Sequence, residues 1–210
     1  FRANAFIRRT KNAYEKRGNC HSFEIVNSPI IAPAWATCKN PQRVNNDVET
    51  FKLFSDFCSL HGPFDVVHFN NLEGISVNVL EFKRKYPQTK IIVSVHNYQM
   101  ICPLAQFFQF KNHVICNDFK RGTECIKCSS SEIDYKKEYY RRCKHEEGTF
   151  WVKSANVFIK LACLVRGNYV QNLMGDHTTM LPQYYEQYRR HNIDMLNQYV
   201  DKILAVSNRV

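Results

Sequence analysis

The stretch FDVVHFNNLEGISVNVLEFKRKYPQTKIIVSV, residues 64–95, decides the fold. It contains a short β-rich run at 64–69, an amphipathic segment at 74–85 and a strongly apolar run at 90–95. Pro87 ends the amphipathic segment, because proline cannot continue a helix. The near-continuous apolar character of 90–95 is typical of a parallel strand that is buried on both faces. The stretch therefore predicts a strand, a helix and a second, parallel strand.

Patterns outside this stretch continue the alternation of helices and strands. They predict a helix over 2–17, a strand over 21–26, a loop over 28–46, a helix capped by Asp47 and ended by Gly62 and Pro63, and a last strand over 201–206. Helices that alternate with strands through short connections favour an α/β fold. The chain is therefore predicted to form a Rossmann-like, doubly wound parallel sheet.

Two segments interrupt this rhythm. Residues 97–130 hold a cluster of cysteines, and residues 133–200 are helical in pattern and rich in Tyr, Lys and Arg. We expect one Rossmann-like domain over residues 1–210, with a Cys-rich insertion at 97–130 and a helical segment at 133–200.

Small polar residues follow three of the predicted strands. In open α/β sheets, ligands bind outside the carboxyl ends of the strands, so these positions are the candidate binding residues. They are Asn70, Asn71 and Gly74 after the first strand, His96, Asn97 and Tyr98 after the second, and Ser207 after the last. The alternatives are a supporting or capping role for His96 and simple turn chemistry for the two asparagines.

Four of the nine cysteines form a cluster within the insertion. Cys102, Cys116, Cys125 and Cys128 have the spacing C-x13-C-x8-C-x2-C, and a C-x2-C pair can hold one metal ion. The pattern predicts a structural Zn²⁺ site. The alternative is a set of reduced thiols without metal. His113 and Cys143 are reserve ligands, whereas Cys20, Cys58 and Cys163 are interpreted as core thiols.

The chain is strongly basic, with a formal net charge of +10. This charge predicts an anionic partner, such as a phosphorylated lipid, a membrane surface, a nucleotide or a nucleic acid. Residues 135–166 interleave aromatic and basic side chains, a pattern that can dock in a membrane interface. Packing of these aromatics against the sheet is the alternative. No stretch reaches the roughly 18–20 apolar residues that span a bilayer.

Three blocks of the sequence resemble family-4 glycosyltransferases. Residues 64–103 are similar to the N-terminal domain of that family, which reads roughly PDVVHxHNLxG…K…PxxxTxHDYWxxCP. Residues 201–210, DKILAVSNRV, resemble the strand that closes that domain, and residues 1–18 resemble the helix after its first strand. Some members of the family carry a similar cysteine insertion.

The resemblance implies the acceptor-side half of a two-domain GT-B enzyme of cell-surface polysaccharide synthesis. It implies a catalytic role for His96 at the cleft, where the family's histidine contacts the transferring sugar. The family's next residue is Asp, but this chain has Asn97, which puts any contact that needs a carboxylate in doubt.

The resemblance also implies the partners of the enzyme. The donor would be a nucleotide-sugar, which the family binds mainly through a C-terminal domain that residues 1–210 do not include. The acceptor would be a glycan or a polyprenyl-phosphate-linked sugar. The expected location is the cytoplasm, in peripheral contact with the inner face of the membrane.

Two other functions fit the same sequence. A basic, zinc-containing nucleic-acid-binding module would explain the charge, the cysteines and the aromatics. However, the basic residues are spread along the chain, and the α/β pattern matches no common nucleic-acid module, so we expect no nucleic-acid partner. A non-catalytic subunit that supplies only half of a GT-B cleft is the third possibility.

Overall fold

The computed structural model describes residues 5–10, 20–28, 30, 41–45, 47–109, 112–129 and 181–206. These residues all belong to one structural unit, which residues 1–130 and 181–210 form. The predicted helical segment lies outside the described residues up to residue 180.

A parallel sheet of three strands, which are 66–70, 90–95 and 202–205 in that spatial order, is the centre of the described fold. The strands are β1 Phe6–Thr10, β2 Ser22–Val26, β3 Val66–Asn70, β4 Lys90–Val95, β5 Phe108–Gln109, β6 Val114–Ile115 and β7 Lys202–Ala205. In the sheet, Asn70 of β3 is level with Ser94 of β4, and Ser94 is level with Leu204 of β7. The prediction of an α/β fold with parallel strands is confirmed.

Side-chain caps begin two of the described helices. The helices are α1 Pro41–Asn45, α2 Val48–His61, a 3-10 helix Val77–Arg84, a 3-10 turn Lys120–Gly122, α3 Thr123–Ser129 and α4 Pro182–Tyr199. As predicted, Asp47 caps α2 by accepting from the backbone N–H groups of Glu49 and Thr50. Among the described helices, none combines the length and the apolar character that crossing a membrane requires.

The hydrophobic core lies on one face of the sheet. Its sheet side is formed by Phe69 of β3 and by Ile91 and Val93 of β4. The covering elements contribute Phe54 from α2, Val79, Leu80 and Phe82 from the 3-10 helix, and Met195 and Tyr199 from α4. The predicted helix at 74–85 is thus a shorter 3-10 helix that buries the expected apolar residues.

The other face of the sheet is open at its outer strands. His68 on β3 is exposed, and Leu204 on β7 is 38% exposed, whereas Ile92 and Ser94 on the central β4 are half-buried and buried. The described residues therefore place helices against one face only. The second helical layer of a doubly wound fold is not among them.

The prediction of a helix over 2–17 is wrong for residues 6–10. They form β1, which pairs antiparallel with β2. The pairing aligns Arg8 with Glu24, and their side chains form an ion pair. Strand pairing of this kind overrides a helical pattern of apolar residues, which is only a weak local preference. The strand predicted at 21–26 exists, but within the described part it belongs to this pair and not to the parallel sheet.

Two smaller expectations also fail in this region. The predicted loop over 28–46 contains the short helix α1. Cys20 is exposed and is not a core thiol, whereas Cys58 is buried as predicted. Burial raises the pKa of the Cys58 thiol to about 11. Cys163 lies outside the described residues.

Asp201 fastens β7 to the start of β4. Its carboxylate accepts from Lys83 Nζ at 2.7 Å and from the backbone N–H of Ile91 at 2.8 Å. Lys90 Nζ lies 3.4 Å from the other carboxylate oxygen. The Lys83 hydrogen bond, with the Ile91 N–H, lowers the pKa of Asp201 to about 2.

We expect Asp201→Asn to lower the free energy of unfolding at pH 7 by about 1–3 kcal/mol, since hydrogen bonds to a charged group are lost. Because the folded pKa of Asp201 lies below the unfolded pKa, its contribution is present above about pH 4 and fades towards pH 2. Urea unfolding from pH 7 to pH 2 measures both effects. Asp56→Asn, at an exposed site on α2, is the control. Equal losses in the two variants would contradict the assignment.

Candidate functional site

The loops after β3 and β4 meet at the carboxyl edge of the sheet. Asn70 is the last residue of β3, and His96 follows β4 directly. The Oδ1 atom of Asn70 lies 2.6 Å from Nε2 of His96. Both side chains are exposed. Two of the predicted site residues, from neighbouring strands, are therefore brought into direct contact at the edge where ligands bind in such sheets.

Asn71 and Gly74 shape the loop after β3. Asn71 has a φ of 82°, in the left-handed region that asparagine tolerates better than most residues. Its N–H donates to the Ser94 carbonyl at 3.1 Å, and its Oδ1 accepts from the Leu72 N–H at 2.9 Å. Gly74 also has a positive φ, of 87°. The turn chemistry considered for Asn71 is therefore present, whereas Asn70 faces His96.

Asn97 ties the two loops together. Its Nδ2 donates to Glu73 Oε2 at 3.2 Å, and its Oδ1 accepts from the Gln99 N–H at 3.0 Å. An aspartate at this position could not donate to Glu73 and would place two carboxylates side by side, which is unfavourable. The asparagine thus suits a bridging role that an aspartate cannot fill.

Tyr98 connects the site to the Cys-rich insertion. Its N–H donates to the Ala105 carbonyl at 3.0 Å, and its carbonyl accepts from the Cys102 N–H at 2.7 Å. The Tyr98 ring packs on Phe107, with the ring centres 4.5 Å apart. Through these contacts, the residues at the start of the insertion pack against Tyr98, which follows His96 and Asn97.

His68 and Ser94 extend the site and were not predicted from the sequence. His68 Nε2 lies 2.8 Å from Ser94 Oγ. Because side chains alternate between the faces of a strand, His68 shares a face with Asn70, and Ser94 shares that face with His96. The period-two pattern of both strands could have predicted this polar strip of four side chains.

Helix α4 supports the turn that follows His96. The Tyr188 hydroxyl donates to the Gln99 carbonyl at 2.8 Å, and Asn192 Nδ2 donates to the Met100 carbonyl at 2.9 Å. Both side chains are buried, with exposed fractions of 1% and 2%. Nothing in the sequence indicated that residues about ninety positions away hold this turn.

The four clustered cysteines line a single cavity. Its volume is about 10 Å³, and its wall contains Cys102, Cys116, Cys125, Cys128 and the side chain of Arg189. The structure therefore brings together the four cysteines that their sequence spacing assigned to one site. In the described part of the chain, no three Cys, His, Asp or Glu side chains already have the arrangement of metal ligands.

Of the remaining predicted residues, only His113 is described, and it does not contribute to either site. His113 is exposed in the turn between β5 and β6 and is absent from the wall of the cysteine cavity. Ser207, Cys143 and the aromatic, basic segment at 135–166 lie outside the described residues.

No family model, no curated protein and no solved structure matches the chain.

Proposed function

We propose that the chain is the acceptor-side domain of a retaining glycosyltransferase, with a Rossmann-like, doubly wound fold. The observation that supports this proposal is the contact of His96 with Asn70 at the carboxyl edge of a parallel sheet. Polar side chains at such an edge, on an exposed surface, suit the recognition of a sugar and its phosphate. The resemblance of residues 64–103 to family-4 glycosyltransferases agrees in the order of the motifs.

His96 would position the sugar that is transferred. If Asn70 Oδ1 accepts from His96 Nε2–H, the ring is held in one orientation and Nδ1 can act on the substrate. Sugar transfer develops positive charge on the sugar ring and negative charge on the leaving phosphate. An imidazole fixed in this way can accept a hydrogen bond from a sugar hydroxyl through Nδ1. Asn97 and Glu73 would hold the neighbouring loops in place.

The substrates follow from the same proposal. A nucleotide-sugar donor would be bound mainly by a second domain of the parent protein, and the acceptor would be a glycan or a polyprenyl-phosphate-linked sugar. The net charge of +10 would favour a phosphorylated acceptor and the anionic inner face of a membrane.

The test measures sugar transfer by the parent protein from a panel of nucleotide-sugars to a lipid-linked acceptor extract. His96→Ala is expected to reduce turnover about 100-fold, the order of effect that a lost positioning contact produces. His61→Ala is the control, because His61 ends α2 just before β3 and so lies towards the opposite end of the strand. Undiminished turnover of His96→Ala would remove His96 from the site. Absence of transfer, with tight salt-sensitive binding of DNA or RNA instead, would favour the nucleic-acid module.

A further inference from the structure

The cysteine cavity is built by three separate segments of the chain. Cys102 lies in the turn held by Tyr98, and Cys116 follows β6, where its N–H donates to the Phe107 carbonyl at 2.7 Å. Cys125 and Cys128 are three residues apart on α3, so they occupy the same side of that helix. Backbone hydrogen bonds therefore hold the segments that place the four cysteines around this one cavity.

The size and chemistry of the cavity suit one ion. Its volume of about 10 Å³ is close to that of a single water-sized sphere. Glu124 also lines it, but its carboxylate is held by Lys127 at 2.8 Å and Lys120 at 3.4 Å. The donors that remain for an ion in this cavity are the four cysteine sulfurs, which are soft ligands.

Arg189 from α4 supplies a positive charge at the wall of the cavity. Its guanidinium stacks 3.6 Å from the centre of the Phe119 ring, and one of its terminal nitrogens lies 3.8 Å from Cys125 Sγ. Its Nε atom is buried without an acceptor among the described residues. A half-buried guanidinium with a buried Nε atom is stabilised by a nearby anion, and no carboxylate in the described part pairs with it.

Ionisation of the thiols needs a cation in the cavity. Four neighbouring thiolates would repel one another, so near neutral pH they are stable together only around a metal ion, which displaces their protons.

We propose that Cys102, Cys116, Cys125 and Cys128 bind one Zn²⁺ in a closed, structural tetrathiolate site. Binding forms four Zn–S bonds, releases four protons to the solvent and involves no change of oxidation state. The thiol side chains rotate towards the cavity centre to reach the Zn–S distance of about 2.3 Å. The bound centre carries a net charge of −2, which Arg189 partly balances. This proposal does not depend on the proposed function.

The metal would lock the insertion against the candidate site. Cys102 is hydrogen-bonded to the Tyr98 carbonyl, and Arg189 lies on the same helix as Tyr188, which holds the next residue of that turn. A metal that joins Cys102 to α3 would therefore stabilise the turn that follows His96. No ligand position remains open for a substrate, so the site is structural and not catalytic.

The test is elemental analysis of the 210-residue chain, purified under reducing conditions without chelator and then given Zn²⁺ and washed. About one zinc per chain is expected, and less than about a tenth in Cys125→Ser/Cys128→Ser, as for a contaminant. Cys20→Ser is the matched control, because Cys20 is exposed and does not line the cavity; it should keep its zinc. Zinc below a tenth in the wild-type chain, or retained in the double variant, would overturn the proposal.

A second measurement on the wild-type chain keeps the proposal testable if the double variant does not fold. Titration with a thiol reagent under native conditions is expected to find four more reactive cysteines after a strong chelator is added. The chelator should also lower the unfolding temperature by several degrees or more. Unchanged thiol reactivity would show that the cysteines do not hold the metal. Bound iron in place of zinc, visible by its colour, would reject the assignment of the ion.

Discussion

Gly122→Ala is expected to lower the free energy of unfolding by about 2–6 kcal/mol, as the sum of backbone strain and a steric clash of about 1–3 kcal/mol each. Gly122 has a φ of 97°, which L-residues rarely adopt. An added Cβ would lie 2.0 Å from the Pro182 carbonyl oxygen and 2.7 Å from its carbon. Both are backbone atoms at the start of α4, so the 3-10 turn and α4 would have to separate.

Denaturant unfolding of Gly122→Ala measures this loss, with Thr123→Ala as the control. Thr123 is the next residue, is exposed and has a helical φ of −61°, so its replacement should change stability by less than about 0.5 kcal/mol. Because α3 and Arg189 flank the cysteine cavity, zinc content should fall in Gly122→Ala as well. A fully stable Gly122→Ala variant would show that the turn does not touch α4.

The double substitution Tyr188→Phe with Asn192→Ala is also expected to lower the free energy of unfolding strongly. Each substitution leaves a backbone carbonyl of the turn after His96 without its buried donor, which costs about 1–3 kcal/mol. The two carbonyls belong to the neighbouring residues Gln99 and Met100. Because both lose their donors, the free energy of unfolding of the double variant should fall by about 2–6 kcal/mol. The turn that follows His96 and Asn97 would then lose its support from α4.

The matched control is Tyr184→Phe, which removes the same hydroxyl from a half-buried tyrosine one turn earlier on α4. Its free energy of unfolding should stay close to the wild-type value. If the parent protein transfers sugar, Tyr188→Phe should also raise the KM or lower the kcat while Tyr184→Phe does neither. Equal stability of the two single tyrosine variants would contradict the assigned hydrogen bond.

Local patterns were sufficient to predict the elements around the site. The apolar run at 90–95 predicted β4, and Asp47 marked the start of α2 because an aspartate at this position can accept from the N–H groups two and three residues further on. The strand-end rule selected both Asn70 and His96 as candidate residues, and their direct contact is a finding of the structure. Each of these predictions rests on a few neighbouring residues or on the strand-end rule.

Long-range pairing decided the features that the sequence did not reveal. Residues 6–10 carry a helical pattern, but they form β1 because β2 offers a partner strand. The hydrogen bond from the Tyr188 hydroxyl to the Gln99 carbonyl joins residues far apart in sequence. The periodicity of apolar residues carries no information about such a pair. The bridge from Asn97 to Glu73 depends on how two loops approach each other, so the exchange of Asp for Asn could be interpreted only from the structure.

The open flank of β7 has a consequence for handling the protein. Within the described part of the chain, β7 pairs only with β4, and Ile203, Leu204 and Val206 are 46%, 38% and 54% exposed. A bare strand edge with apolar side chains can recruit an extended segment from another molecule, and a single lysine, Lys202, is the residue in β7 that opposes this. A low protein concentration, and replacement of Leu204 by a charged residue, are therefore the first measures to try against fibrous or amorphous precipitation.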